Sequence, residues 1–92
     1  MLELHQTTQF KKDLRQARKR HLDLTLLDEV IAILLSGEDL PSRYGDHILR
    51  GKYAGLHECH IQYDWLFIYV KDERRLVLIA YRTGTHSDLL DK

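Results

Sequence analysis

At Gly51 the hydrophobic period of the chain changes, and that change limits the possible folds more than any other feature. Before it, apolar residues recur at helical spacing. Phe10, Leu14 and Ala17 fall at i, i+4 and i+7, which gives a first helix one narrow apolar face. Leu27, Val30, Ile31 and Leu34 make a second stripe, broadened by Leu26, Ile33 and Leu35, and predict a helix from Leu24 to about Ser36. Thr7 or Thr8 can cap the first helix and Asp23 the second. Gly37 fits the left-handed position beyond a helix end. The short link around His21 predicts an antiparallel helical hairpin. Ahead of it, Leu2 and Leu4 alternate with Glu3 and His5, as in a short strand.

After Gly51, Tyr53 to Ile61, Trp65 to Val70 and Leu76 to Arg82 are rich in aromatic and branched residues and read as strands. Gln62-Tyr63-Asp64 and Lys71 to Arg75 are short enough for hairpins, so consecutive strands pair antiparallel. The expectation is one α+β domain over residues 1–92. It has an N-terminal strand, an antiparallel helical hairpin, a three-strand antiparallel meander forming one sheet, and a short C-terminal helical turn.

Several classes drop out. No apolar run approaches the roughly 20 residues of a membrane span. The N-terminus lacks the basic-then-apolar shape of a signal peptide. A single cysteine, Cys59, allows no internal disulfide. A cytoplasmic location without a membrane partner is the expectation.

Chemistry concentrates between Asp46 and Trp65. His47, His57 and His60 lie there with Arg50, Lys52, Glu58 and Asp64, and His86 follows near the chain end. Imidazole exchanges protons near neutrality, so this mixture suits proton transfer around an anionic substrate. Side chains alternate along a strand, so Cys59 and Ile61 share one face and Glu58 and His60 the other. If the apolar pair meets the helices, His60 points to the open face. Arg82 and His86 flank that face, and His47 reaches it from the loop before the second strand. Plainer readings exist: a surface His60, a solvated His47, an Asp64 bonding its own turn amides, a Trp65 in the core.

His57-Glu58-Cys59-His60 holds potential metal donors, but alternation separates His57 and Cys59 from His60. Neither Cys-x-x-Cys nor helical histidine spacing is present, so no metal and no cofactor is expected. Nor is there a glycine-rich phosphate loop or a Gly-x-Ser-x-Gly elbow. Cys59 faces the predicted core, which argues against a thiol nucleophile. The net charge is zero, yet Lys11, Lys12, Arg15, Arg18, Lys19 and Arg20 crowd one helix against the single acid Asp13. That stripe either tracks phosphates or is a solvated face.

Lys11-Lys12-Asp13-Leu14, Asp46-His47-Ile48-Leu49-Arg50-Gly51, His60-Ile61-Gln62-Tyr63-Asp64-Trp65 and Arg82-Thr83-Gly84-Thr85-His86 together resemble the RelE/ParE toxin superfamily. The nearest branch is that of the YafQ-like messenger-RNA interferases, and the resemblance covers nearly the whole chain. It implies a single RelE-like toxin domain, a ribonuclease that enters the ribosomal A site and cuts mRNA there without metal. It also implies an antitoxin partner, with DNA contacted only through that antitoxin. The family's catalytic residues fall on His47, His60, Asp64 and His86. Substrate contacts are expected from Arg50, Lys52, Trp65, Arg82, Lys11, Lys12 and Arg15. The branch carries an aromatic near its C-terminus where this chain has Leu90. Two alternatives stay open: a ParE-like inhibitor of DNA gyrase, and a non-catalytic RNA-binding module of the same fold.

Overall fold

A computed structural model describes residues 1–90. The chain runs β1 (Glu3–Gln6), α1 (Thr8–Lys19), α2 (Leu24–Leu35), β2 (His47–Ile48), β3 (His57–Gln62), β4 (Trp65–Asp72), β5 (Val77–Gly84) and α3 (His86–Leu90). Thr7 caps α1 by accepting the Phe10 amide, and Asp23 caps α2 by accepting that of Thr25. Gly37 is left-handed just beyond α2.

The expected meander is present, with β3, β4 and β5 paired antiparallel. The sheet is larger than the meander, however: it has five strands in the order β1-β5-β4-β3-β2 and is mixed, because β1 pairs parallel with β5. β1 and β5 come from opposite ends of the chain, with both helices and three strands between them, so hairpin reasoning alone does not supply the direction of their pairing. The strand expected from Tyr53 begins only at His57, since a 3-10 turn at Gly51–Tyr53 and a left-handed Gly55 come first. Leu76, also left-handed, delays the last strand to Val77. The two helices cover one face of the sheet, α1 packing over β5 and α2 over β3, with Phe10 of α1 and Leu27, Val30, Ile31 and Leu34 of α2 in one core.

Both faces of the sheet are covered. Cys59, Ile61, Trp65, Phe67, Tyr69, Leu78 and Ala80 meet Phe10, Leu27, Val30, Ile31 and Leu34 of the helices in the main core. The opposite face was expected to be open. It carries a smaller core of Tyr53, Leu66, Ile68 and Leu89, edged by Leu49 and Leu56. No helix among the described residues is long and apolar enough to cross a membrane.

Candidate active site

His60 lies on β3 with its ring toward the second face, as alternation requires once Cys59 is fully buried in the main core. Burial also pushes the Cys59 thiol up to about 12, far from a nucleophilic thiolate. His47, expected in a loop, belongs instead to the short edge strand β2, where it pairs with Glu58. His86 opens α3. These three elements bring the imidazoles into a row, with His60 in the middle. Ring centres are 6.5 Å apart for His47 and His60, and 5.9 Å for His60 and His86.

Two acceptors fix which ring nitrogens carry hydrogen. The Nδ1–H of His86 donates to Asp64 Oδ1 at 2.7 Å, and its backbone N–H donates to the same oxygen at 3.1 Å. These bonds from His86 hold the Asp64 carboxyl below the usual carboxylate range. The Nδ1–H of His47 donates to the Gly45 carbonyl at 2.9 Å. In His86 Nε2 is then the nitrogen left to meet a substrate, whereas Nε2 of His47 faces Glu58 Oε1 at 3.4 Å. Gly45 serves twice. Its φ of 60° is left-handed, and a Cβ there would stand 3.2 Å from His60 Nδ1.

An open cleft of about 750 Å³ lies at the His60–His86 end of this row, lined by Arg43, His60, Ile61, Gln62, Tyr63, Asp64 and His86 but not by His47. Tyr63 stands at its rim, 96% exposed. Arg43 was not singled out from sequence. Its guanidinium lies 4.6 Å from the Tyr44 ring centre, on a 3-10 turn whose approach to β3 no local pattern shows.

Glu58 shares a face with His60, as alternation predicts, and belongs to the run of potential metal donors His57-Glu58-Cys59-His60. It is 4% exposed, with Oε1 3.4 Å from His47 Nε2, and among the described residues Oε2 has no hydrogen-bond partner. Potential ligand atoms of Glu58, His60 and His86 lie within 4.8 Å of one another. His86 reaches this group from α3, which spacing along one strand does not show. His57 stands apart, stacked on Tyr69 and paired with Asp46.

The other expected substrate residues are spread around this cleft. Trp65 is not at the surface: it is 3% exposed and its indole N–H donates to Thr83, whose hydroxyl donates to the Leu66 carbonyl. The ring lies in the main core, on the sheet face away from His60, and presents no face for stacking. Arg82 forms a two-pronged ion pair with Asp13 on α1, with N···O distances of 3.0 and 3.1 Å. With Lys52 it lines a neighbouring hollow of about 310 Å³ rather than the histidine cleft. Arg50 is exposed between β2 and β3, and Lys11, Lys12 and Arg15 are exposed on α1. The position of the Leu90 side chain lies outside the described residues, as do Asp91 and Lys92.

Known proteins share this sequence pattern and fold. The family described as the bacterial toxin of type II toxin–antitoxin systems, YafQ, matches residues 2–91. The mRNA interferase toxin YafQ of Escherichia coli K12 is 37% identical over 82 residues, covering 88% of this chain and 87% of the relative. The toxin in the crystal structure of the E. coli DinJ–YafQ complex superposes with a TM-score of 0.87 at 33% identity, covering 97% of this chain and 98% of that one. A metal-bound toxin from Helicobacter pylori superposes with a TM-score of 0.89 at 35% identity, covering 97% and 99%. The chain belongs to the YafQ family of toxins of bacterial type II toxin–antitoxin systems.

Proposed function

We propose that the chain is an mRNA interferase that cleaves messenger RNA on the ribosome and is silenced by a cognate antitoxin. The observation that carries this is the row His47–His60–His86, with Asp64 holding Nδ1–H of His86 so that Nε2 is free for a substrate.

RNA brings its own nucleophile. The 2′-oxygen attacks the adjacent phosphorus, the P–O5′ bond breaks, and a 2′,3′-cyclic phosphate and a 5′-hydroxyl result. The 2′-hydroxyl proton passes to a neutral imidazole, that of His47 or His60. The 5′-oxygen takes a proton from His86 Nε2 as it leaves. Asp64 orients the His86 ring. Negative charge grows on the phosphate oxygens, and Arg43 in the cleft is placed to stabilise it. Arg50, Lys52 and Arg82 hold the strand on either side, with Arg82 set by Asp13. No step needs a metal or cofactor. The exposed cations of α1 face the phosphates of the ribosome.

The E. coli DinJ–YafQ complex supports an antitoxin partner, through which any DNA contact is indirect. The absence of a membrane-crossing helix among the described residues suits work in the cytoplasm. A gyrase inhibitor has no use for a row of imidazoles, so the ParE-like alternative is disfavoured. The decisive test is mRNA cleavage by purified protein on programmed ribosomes, with His86→Ala as control. Intact mRNA with the unaltered protein refutes the reading.

Glu58 favours a second reading of the same cluster. Its unpartnered oxygen and the grouping of its carboxylate with His60 and His86, together with the metal-bound H. pylori relative, suit a zinc- or copper-like cation. Coordination would occupy the imidazole lone pairs, so the ion would inhibit cleavage. Added zinc should slow the reaction, and Glu58→Gln should need more zinc for the same effect.

A further inference from the structure

α3 is only five residues long, too short to hold its own shape in water, yet it carries His86 at its first position. Its conformation must come from what surrounds it. At its C-terminal end, Leu89 is buried in the smaller core and its carbonyl accepts the Tyr53 hydroxyl at 3.0 Å. At its N-terminal end, Thr85 and Asp88 cap each other: the Thr85 hydroxyl accepts the Asp88 amide at 3.1 Å, and Asp88 Oδ2 accepts the Thr85 amide at 3.0 Å.

That Asp88 carboxylate has another partner. Arg20, the residue that closes α1, donates to it from both terminal nitrogens, at 2.7 Å to Oδ2 and 3.3 Å to Oδ1. The Arg20 backbone is itself held by the Gln16 carbonyl, so its side chain starts from a fixed point. The strand before α3 leaves room for this arrangement only as glycine. A Cβ on Gly84 would lie 2.9 Å from Asp88 Oδ2.

We infer that Arg20 is a positioning residue for the cleavage reaction, clamping Asp88 so that the cap of α3 places the His86 ring against Asp64 and His60. This rests on the cleavage reading above and separates Arg20 from the other cations of its helix. Lys11, Lys12 and Arg15 face outward, whereas Arg20 is turned onto α3. An exposed ion pair ordinarily contributes little. Here the carboxylate is already ordered by the cap and the guanidinium meets it with two prongs, so the contact fixes geometry at small entropic cost. A small displacement of a proton donor is enough to slow catalysis.

The test compares Arg20→Ala, Arg20→Lys, Asp88→Asn and the Arg20→Ala/Asp88→Asn double variant. Each is assayed for single-turnover cleavage on mRNA-programmed ribosomes and for amide hydrogen exchange across α3. Arg20→Ala and Asp88→Asn should each lower the maximal rate about tenfold, and the double variant should be no slower than the slower single. Half-saturating ribosome concentration and its salt dependence should stay at wild-type values, and α3 amides should exchange faster. Arg20→Lys should recover only part of the rate, because an ammonium makes a single contact. A raised half-saturating concentration with a flatter salt dependence and an intact rate would make Arg20 a phosphate ligand and overturn the inference. Multiplying single effects, or unchanged α3 exchange, would overturn it too. Should the wild type fail to cleave, the cleavage reading falls, and the exchange comparison still decides whether the clamp exists.

Discussion

Asp64 holds His86 at two points, through the backbone N–H and through Nδ1–H, so one carboxylate oxygen sets both the start of α3 and the direction of its imidazole. Its depressed pKa keeps it charged at neutral pH, and this hold is lost only as acidity rises past the ordinary carboxylate range. His86→Ala should lower cleavage by about 100-fold or more, the usual worth of a general acid, while antitoxin binding is retained. Asp64→Ala should slow the same step by about 100-fold through misplacement. Rate measurements with an antitoxin pull-down check both. Joint loss of fold and antitoxin binding in His86→Ala would show a structural role instead.

Asp88 gives a pH signature. Its carboxyl is held down at about 2 by Arg20, from an unfolded value near 3.8. A depressed carboxylate contributes stability that is fully present above the unfolded value and is lost as pH falls through the folded one. Wild-type stability should therefore drop between about pH 4 and pH 2 by more than that of Asp88→Asn. Urea titrations across this window, read by the difference between the two proteins, give the answer.

Gly45→Ala should destabilise the fold by about 1–2 kcal/mol, the cost of a left-handed backbone for a residue with a Cβ. The new methyl also meets His60 Nδ1 at 3.2 Å, so cleavage should fall as well. Denaturant unfolding and rate measurement on one preparation check the pair of effects. Unchanged activity at reduced stability would place His60 outside the reaction.

Much of this was legible beforehand, and the reasons are local. Helical spacing located α1 and α2, hairpin-length links located the meander, and alternation at Cys59 sent His60 to the second face. The parallel pairing of β1 was not legible, because its partner β5 lies at the other end of the chain. The edge strand at His47 is too short to show a period. Arg43, the burial of Glu58 and the Arg20–Asp88 pair all depend on segments far apart in sequence meeting in space. Trp65 shows the converse. Residue type and position suggested a substrate contact, but the ring is buried and Thr83 engages its indole N–H.

The cations of α1 are expected to act in ribosome engagement rather than chemistry. Changing Lys11, Lys12 and Arg15 to Glu should weaken ribosome binding and make it less sensitive to salt, since fewer counterions are released. Binding measured at several ionic strengths checks this. An unchanged salt slope would leave these residues a solvated face.

The proposed reaction uses the substrate's own 2′-hydroxyl as nucleophile, with histidines moving its protons. Its most direct measurement is cleavage of an mRNA carrying a single 2′-deoxy nucleotide at the cut site, presented on the ribosome beside the all-ribose mRNA. The account predicts no cleavage of the deoxy substrate at undiminished binding, and from the ribose substrate a 2′,3′-cyclic phosphate and a free 5′-hydroxyl. Efficient cutting of the deoxy mRNA would mean that water or a protein group attacks the phosphorus, and the roles given to His47, His60 and His86 would fall.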